Sequence, residues 1–252
     1  MIIDPETLDF FNKNKDLKYI PPTIPSNLDD PFKIAQWITN NPDFAWLELD
    51  INFNLENWKN ELQYAEPYYV PHRESKSNGW VSCCLHGIDT DKTGHWVAYV
   101  DKETEDLYQW TKISEKTPNI KNFWKNTFPS QTYNRIRFMK VKSQGYIGKH
   151  NDSPGQGWIP GETSAHDPII HGCPINIALV HPDNCYMVLE GFGIVPFKEG
   201  KIFLVNIRHN HSVINFSDQD RIHMIGFAIS QNRQQDFAEL ITRSYLTQHE
   251  RK

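Results

Sequence analysis

The chain has 252 residues, of which 38% are hydrophobic, and its formal net charge is -5 at neutral pH. This length and hydrophobic content are sufficient to bury a core, and we expect a single domain over residues 1–252. The acidic excess and the lack of clustered Lys and Arg argue against a nucleic-acid partner. Because no run of about 18 apolar residues occurs and the first residues lack a signal-peptide pattern, we expect a soluble, cytoplasmic protein with no membrane partner.

Residues 1–130 are expected to supply N-terminal helices and supporting strands. An Asp that can cap a helix, followed by a Pro in the first turn, predicts a helix from Asp30 to Ile38. Apolar residues at helical spacing predict further helices, and runs rich in β-branched and aromatic residues predict strands. The further elements predicted here are helices over Leu55–Tyr64 and Ile120–Asn126 and strands over Trp80–Gly87 and His95–Val100.

Residues 131–230 are dominated by short strands that turn residues separate at regular intervals. The predicted strands are Ile136–Val141, Ile175–Val180, Cys185–Leu189, Gly193–Phe197, Lys201–Asn206, His211–Asn215 and Arg221–Phe227. Such spacing is typical of a mainly β, double-stranded β-helix, the cupin-like jelly roll. Gly and Pro deny regular structure to Ser153–Pro174, which we interpret as a lid or binding loop. Residues 231–252 carry an amphipathic pattern that predicts a C-terminal helix over Gln231–His249.

The four cysteines, Cys83, Cys84, Cys173 and Cys185, contain no C-x-x-C pair. An adjacent pair is a poor framework for a disulfide or for zinc. We therefore expect free, buried thiols.

A candidate metal-binding motif follows the strand Ile136–Val141. His150 and Asp152 are two residues apart, so their side chains share a face where the chain is extended. His211, arriving from a distant strand, would add a second imidazole. Two imidazoles and one carboxylate on one side of an ion form the facial arrangement of non-haem Fe(II) oxygenases, which leaves the opposite side open.

From Arg135 to Ile229 the chain resembles the aspartyl/asparaginyl β-hydroxylase family of Fe(II)- and 2-oxoglutarate-dependent oxygenases. The matching features, in order, are Gly-x-x-x-x-His, an apolar strand ending in Val-His-Pro-Asp-Asn-Cys, Glu-Gly-Lys before another apolar strand, His-Ser-Val-Ile-Asn, and an Arg ten residues past that His. The resemblance implies that His150 and His211 bind iron and that Arg221 holds the distal carboxylate of 2-oxoglutarate.

The sequence departs from the family pattern in two places. The enzymes that give the family its name have Gly where Asp152 stands, whereas small members with an intact His-x-Asp, some of which hydroxylate free proline, look closer. Related halogenases have Gly or Ala there and bind chloride in its place, so Asp152 favours hydroxylation. The family also tends to carry Arg and His where this chain has Pro174 and Asn176, positions that face the ligand.

The predicted cosubstrate site is built on Arg221, because a planar guanidinium can bind a carboxylate through two parallel hydrogen bonds. His223 shares its face in a strand and is predicted to assist, together with Asn176. The competing interpretation is that His223 is a core histidine satisfied by one hydrogen bond. For the substrate, Trp80, Tyr146, Trp158 and Asn176 could line the mouth of the barrel, although plain core or loop packing is the commoner role of such residues. Arg135 or Arg137 could pair with a substrate carboxylate, although a strand arginine more commonly faces solvent.

The competing interpretation of the metal-binding motif is a chance match, since the chain contains 11 His. His181-Pro182-Asp183 is a second His-x-Asp, which we rank lower because it lies on a turn pattern where the Asp bonds its own backbone. Asp152 itself has the same competing interpretation, as the residue that begins the following loop.

The sequence thus predicts an Fe(II)/2-oxoglutarate-dependent dioxygenase. It would hydroxylate an amino acid, peptide or protein side chain, with dioxygen as co-reactant and ascorbate as reductant. The alternative function is a cupin-like metal-binding protein without turnover, which would have no need of a carboxylate-binding arginine.

Overall fold

The computed structural model describes residues 2–72, 77–93, 107–129, 132–152, 173–229 and 233–249. Its α-helices are α1 Pro5–Asn14, α2 Pro31–Asn40, α3 Leu55–Leu62, α4 Pro118–Asn122 and α5 Gln234–His249. Its strands are β1 Trp46–Glu48, β2 Val70–Pro71, β3 Ser77–Gly87, β4 Gln109–Trp110, β5 Thr132–His150, β6 Ile175–Val180, β7 Cys185–Leu189, β8 Gly193–Ile194, β9 Ile202–Val205, β10 His211–Asn215 and β11 Arg221–Ile229. Short 3-10 turns cover Glu66–Tyr68 and Lys112–Glu115, and a π-helix covers Phe123–Thr127.

The strands form one antiparallel sheet whose order is β1-β9-β6-β11-β5-β10-β7-β8, with β3 added on β5 and with β2 and β4 on β3. The 19-residue strand β5 pairs with β11 through its first half and with β10 through its second half. At about 3.3 Å per residue its contour length is about 60 Å, far longer than that of an ordinary strand. Because one strand belongs to both halves, the sheet curls over on itself, and this confirms the predicted jelly-roll architecture.

A bend divides β5 between Lys142 and Tyr146. Gln144 has a φ of 56°, and a Cβ on Gly145 would lie 2.7 Å from the carbonyl oxygen of Asn78 on β3. The bend therefore needs a residue without a side chain where β3 crosses, and the Gly of the motif Gly-x-x-x-x-His satisfies that need.

The curled sheet has a helix-covered outer face and an enclosed inner face. Outside, side chains such as Phe138, Ile177 and Leu204 pack against α2 and α5 in the largest buried cluster. Inside, a second cluster joins Phe203 of β9 to Val213 of β10, so the two halves of the sheet face each other. A third cluster seats α1 on the outer face of β7 and β10.

The N-terminal helices begin as the sequence rules require. Asp4 and Asp30 each accept a backbone N–H bond from the residue three positions on, and Pro follows each of them. The helix after Asp30 was predicted. The helix after Asp4 was missed, although the same Asp-Pro signal marks it.

The remaining expectations fare as follows. The predicted strands of residues 175–229 are all present, although β8 ends at Ile194, before the predicted Phe197. The helices predicted over 55–64 and 231–249 are present as α3 and α5, and that over 120–126 is divided between α4 and the π-helix. All four cysteines are free and buried, as expected. The predicted strand His95–Val100 and most of the loop Ser153–Pro174 lie outside the described residues, and the single-domain boundary 1–252 stays a prediction.

No helix in the described part of the chain is long and apolar enough to cross a bilayer.

Gly226 allows β11 to lie directly against an indole ring. A Cβ built on Gly226 would lie 2.2 Å from Cη2 of Trp124, a fully buried residue that donates its Nε1–H to Sδ of Met224 at 3.1 Å. The close approach leaves no room for a side chain, since packed interiors yield little.

We expect Gly226→Ala to lower the free energy of unfolding by about 1–3 kcal/mol, because the added methyl group overpacks this contact. Urea denaturation measures the loss. The matched control is the double variant Gly226→Ala/Trp124→Phe, whose smaller ring should recover part of the loss relative to Trp124→Phe alone. Strictly additive losses would show that Trp124 is not what excludes a side chain at Gly226.

Candidate metal centre

The pairing of β5 with β10 brings two histidines together from positions 61 residues apart. His150 and His211 are direct partners in the register, and their ring centroids are 4.3 Å apart. Asp152 follows β5 by two residues, and its backbone N–H donates to the carbonyl of Ile207 at 3.1 Å, which ties the chain after β5 to the segment leading into β10. The three predicted ligands therefore converge, and they form the single cluster of potential metal ligands found among the described residues.

Backbone carbonyls fix which nitrogen of each imidazole is free. Nδ1 of His150 lies 2.7 Å from the carbonyl oxygen of Gly148, and Nδ1 of His211 lies 2.9 Å from that of His209. A carbonyl only accepts, so each Nδ1 carries the proton. In a neutral ring Nε2 then bears the lone pair, the arrangement in which histidine binds a metal.

The environment keeps His211 neutral. Burial, followed by the adjacent ring of His150, lowers the pKa of His211 to about 4, while the carboxylate of Asp152 acts in the opposite direction. At pH 7 this imidazole therefore needs no proton removed before it binds an ion.

The carboxylate of Asp152 lies within reach of the same ion. Its Oδ1 is 3.9 Å from Nε2 of His150, and the ligand atoms of all three residues lie within 4.8 Å of one another. Two ligands of one ion can span about 4 Å when each lies about 2.1 Å from it. Two neutral imidazoles and one carboxylate suit Fe(II), so the residues present fit the predicted ion.

Arg221 forms a second, cationic part of the inner face. It is 3% exposed and pairs with no carboxylate in the described ranges, and its Nε has no hydrogen-bond partner there. Burial lowers the pKa of Arg221 to about 10, which leaves the guanidinium charged at neutral pH. A buried, uncompensated cation is costly, so the pocket favours an anionic ligand.

His223 adjoins that guanidinium, and Asn176 adjoins His223 in turn. Nη2 of Arg221 lies 2.8 Å from Nδ1 of His223, which lies 2.7 Å from Oδ1 of Asn176. All three side chains are buried. Contact with a cosubstrate stays a prediction for each of them.

The metal ligands and Arg221 face one interior. Val141 lies opposite Arg221 across β5 and β11 and belongs to the same buried cluster as Val213 of β10. Trp80 lies opposite Val141 on β3, and its ring centroid is 5.9 Å from that of His150. Trp80 is thus close to the metal ligands, and its contact with a substrate stays a prediction.

Tyr146 and Trp158 were further candidates for the mouth of the barrel. Tyr146 packs with Phe10 and Phe11 of α1 on the outer face, in core packing and not at the barrel mouth, because it lies on the opposite face of β5 from Ile147. Trp158 lies outside the described residues. His181, of the lower-ranked His-x-Asp motif, lies with its Nδ1 3.0 Å from Nε2 of His223, and no local sequence pattern signals that contact.

The sequence profile of the family described as Aspartyl/Asparaginyl beta-hydroxylase matches residues 50–228, more than half of the chain. No curated protein matches the chain in sequence.

The solved structures to which the chain is similar include the following three. An oxidoreductase of the 2OG-Fe(II) oxygenase family from Burkholderia pseudomallei has a TM-score of 0.45 at 11% identity, over 83% of this chain and 94% of that one. A Pseudomonas putida prolyl-4-hydroxylase has a TM-score of 0.40 at 10% identity, over 79% and 100%. The non-heme alpha ketoglutarate dependent carbocyclase SnoK from nogalamycin biosynthesis has a TM-score of 0.48 at 12% identity, over 83% and 87%. At such scores the likeness carries no argument about activity.

We expect His150→Ala and His211→Ala each to abolish binding of Mn(II), used as a redox-stable surrogate, because each variant removes one of the three candidate ligands found in the described ranges. Equilibrium dialysis measures the bound metal, and circular dichroism checks that the fold survives. His181→Ala, which removes the other His-x-Asp motif, should leave Mn(II) binding unchanged. Loss of metal in that variant alone would place the site elsewhere.

Proposed function

The chain belongs to the aspartyl/asparaginyl β-hydroxylase family, and on that premise we propose that it is an Fe(II)- and 2-oxoglutarate-dependent dioxygenase that hydroxylates an amino acid, peptide or protein side chain. The observation that carries the proposal is the conjunction, on one inner face, of the candidate metal ligands with a buried guanidinium. His150, Asp152 and His211 would hold the iron, and Arg221 would hold the distal carboxylate of 2-oxoglutarate.

The chain's own groups have separate tasks in this proposal. The bound ion and cosubstrate would supply the oxidising chemistry, in which 2-oxoglutarate is decarboxylated to succinate as dioxygen is consumed. His150 and His211, whose Nδ1–H groups are bound to backbone carbonyls, would present both Nε2 lone pairs to a bound ion. The charge of Arg221 offsets that of the cosubstrate carboxylate, and its fork fixes the cosubstrate's direction.

Two further arginines are the basis for proposing that the substrate is acidic. Val141 lies opposite Arg221 in the register of β5 against β11. Because alternate residues of β5 share a face, Arg135 and Arg137 project on the same side of the sheet as Val141. Both donate from Nη1 to the carbonyl of Thr93, at 3.2 and 2.9 Å. We propose that this pair faces the carboxylate of an amino acid or peptide.

The alternative, a cupin-like metal-binding protein without turnover, gives Arg221 no task. A plain metal site has no use for a buried cation beside it, and burying one without a carboxylate partner is costly. The experiment that separates the two functions supplies the purified protein with Fe(II), ascorbate and 2-oxoglutarate and a panel of free amino acids, their amides and short peptides. Succinate that rises with one acidic substrate supports the hydroxylase, whereas metal binding without succinate supports the alternative.

We expect Arg221→Ala to raise the KM for 2-oxoglutarate by the equivalent of about 2–5 kcal/mol, since it removes a charge-assisted contact in a buried pocket. Arg221→Lys keeps the charge but loses the planar fork, so its KM should lie between those of Arg221→Ala and the wild type. Steady-state kinetics measure both, and Mn(II) binding should persist in both. An unchanged KM in Arg221→Ala would remove this residue from the cosubstrate site.

We expect Asp152→Asn and Asp152→Gly both to weaken Fe(II) binding and suppress substrate hydroxylation, because each removes the anionic member of the candidate ligand set from the site of a dication. The Gly variant also opens a position that halide can occupy. Metal titration and product analysis, with and without added chloride, measure these effects. An active Asp152→Asn enzyme would show instead that Asp152 serves the turn, where Asn makes the same local bond.

A further inference from the structure

A line of hydrogen bonds leads from Arg221 away from the metal ligands and ends at His181, just after β6. Nη2 of Arg221 contacts Nδ1 of His223 at 2.8 Å, and Nε2 of His223 contacts Nδ1 of His181 at 3.0 Å. The backbone N–H of His181 donates to Oε1 of Glu199 at 3.1 Å, which anchors the far end. The line therefore joins the buried cation to a partly exposed imidazole.

One aromatic ring holds the three members of the line together. The ring of Phe197 lies 4.7 Å from that of His223, 5.6 Å from that of His181, and 5.8 Å from the guanidinium carbon of Arg221. His223 is fully buried. Burial is the largest cause that lowers the pKa of both histidines, to about 4 for His181 and well below its ordinary value for His223, and the charge of Arg221 adds to it. Both imidazoles are neutral at pH 7.

The guanidinium sets the direction of every bond in the line. Arginine has only donors, so its contact with Nδ1 of His223 is a hydrogen bond only if that nitrogen is unprotonated. The neutral ring must then carry its proton on Nε2, where Nδ1 of His181 is the acceptor. His181 in turn carries its own proton on Nε2.

The same requirement fixes the side-chain amide of Asn176. With a lone pair on Nδ1 of His223, the group of Asn176 that faces it favourably is the NH2 donor rather than the oxygen recorded at 2.7 Å. Half a turn of the amide exchanges the two atoms. The reverse arrangement, with a proton on Nδ1 of His223, satisfies the recorded Asn176 oxygen but sets an N–H against the guanidinium.

We propose that His181 is a positioning residue for cosubstrate binding, which accepts the Nε2 proton of His223 and thereby keeps Nδ1 of His223 available to hold Arg221. The proposal rests on the proposed role of Arg221 in binding 2-oxoglutarate. It assigns a task to the second His-x-Asp motif without making it a metal site, since Asp183 is exposed and takes no part.

Without an acceptor at position 181, the fully buried Nε2–H of His223 has no hydrogen-bond acceptor in the described part of the chain. The ring can then move its proton to Nδ1 and donate to the oxygen of Asn176, which releases Arg221 from the orientation that the cosubstrate needs. The metal ligands lie on other strands and keep their own carbonyl partners, so metal binding should not change.

The kinetic test compares His181→Leu with His181→Asn. Leucine removes the acceptor, and we expect the KM for 2-oxoglutarate to rise about tenfold, the usual effect of losing one buried hydrogen bond, with kcat at saturating cosubstrate and Mn(II) binding near wild-type values. Asparagine places an oxygen near the former Nδ1, so its KM should remain within about threefold of wild type. Equal KM increases in the two variants would contradict the proposal.

The second measurement does not depend on activity. Histidine side-chain 15N–1H spectra report which ring nitrogen of His223 is protonated, with the signal assigned from a His223→Gln variant. We expect Nε2–H in the wild type and in His181→Asn, and Nδ1–H or a mixture in His181→Leu. An Nδ1–H tautomer in the wild type overturns the proposal even if His181→Leu fails to fold. If the wild type forms no succinate but has the Nε2–H tautomer, the proposed function fails while the hydrogen-bond line stands.

Discussion

The shared pairing of β5 is the constraint on which the candidate site depends. Its second half places His150 directly opposite His211, and its first half places Val141 opposite Arg221. One continuous strand thus fixes the metal ligands and the cationic pocket relative to each other, with no hinge of loop residues between them. The bend at Gly145 that allows this pairing is therefore as much a part of the site as the side chains that face the ion.

The two parts of the site solve opposite electrostatic problems. At the metal ligands, backbone carbonyls accept from Nδ1–H of both imidazoles, burial lowers the pKa of His211, and one carboxylate supplies negative charge for a dication. At Arg221 a positive charge is buried with no carboxylate paired to it in the described part of the chain, which favours an anionic ligand. Neutral histidines around Arg221 solvate the guanidinium without cancelling its charge, so the pocket stays selective for an anion.

Much of this arrangement follows from local sequence. Strand spacing predicts β6, β7, β9, β10 and β11, and the two-residue period puts His150 with Asp152 and Arg221 with His223. The contact between His181 and His223 cannot be predicted in this way, because it depends on how the end of β6 lies beside β11 across a register shift. Periodicity alone also cannot decide whether Tyr146 lines the barrel mouth or packs in a core, because the bend in β5 determines which face its residues present. The first helix, by contrast, was predictable from Asp4-Pro5 and was overlooked.

The central claim is that the metal ligands and Arg221 bind one 2-oxo acid between them. The direct measurement is an anaerobic optical titration of the Fe(II)-loaded protein with 2-oxoglutarate, since a 2-oxo acid chelating Fe(II) produces a visible charge-transfer band. The account predicts a band that saturates at one 2-oxoglutarate per iron and that pyruvate, which lacks the distal carboxylate, produces only at much higher concentration. Absence of the band, or equal affinity for pyruvate, would contradict it.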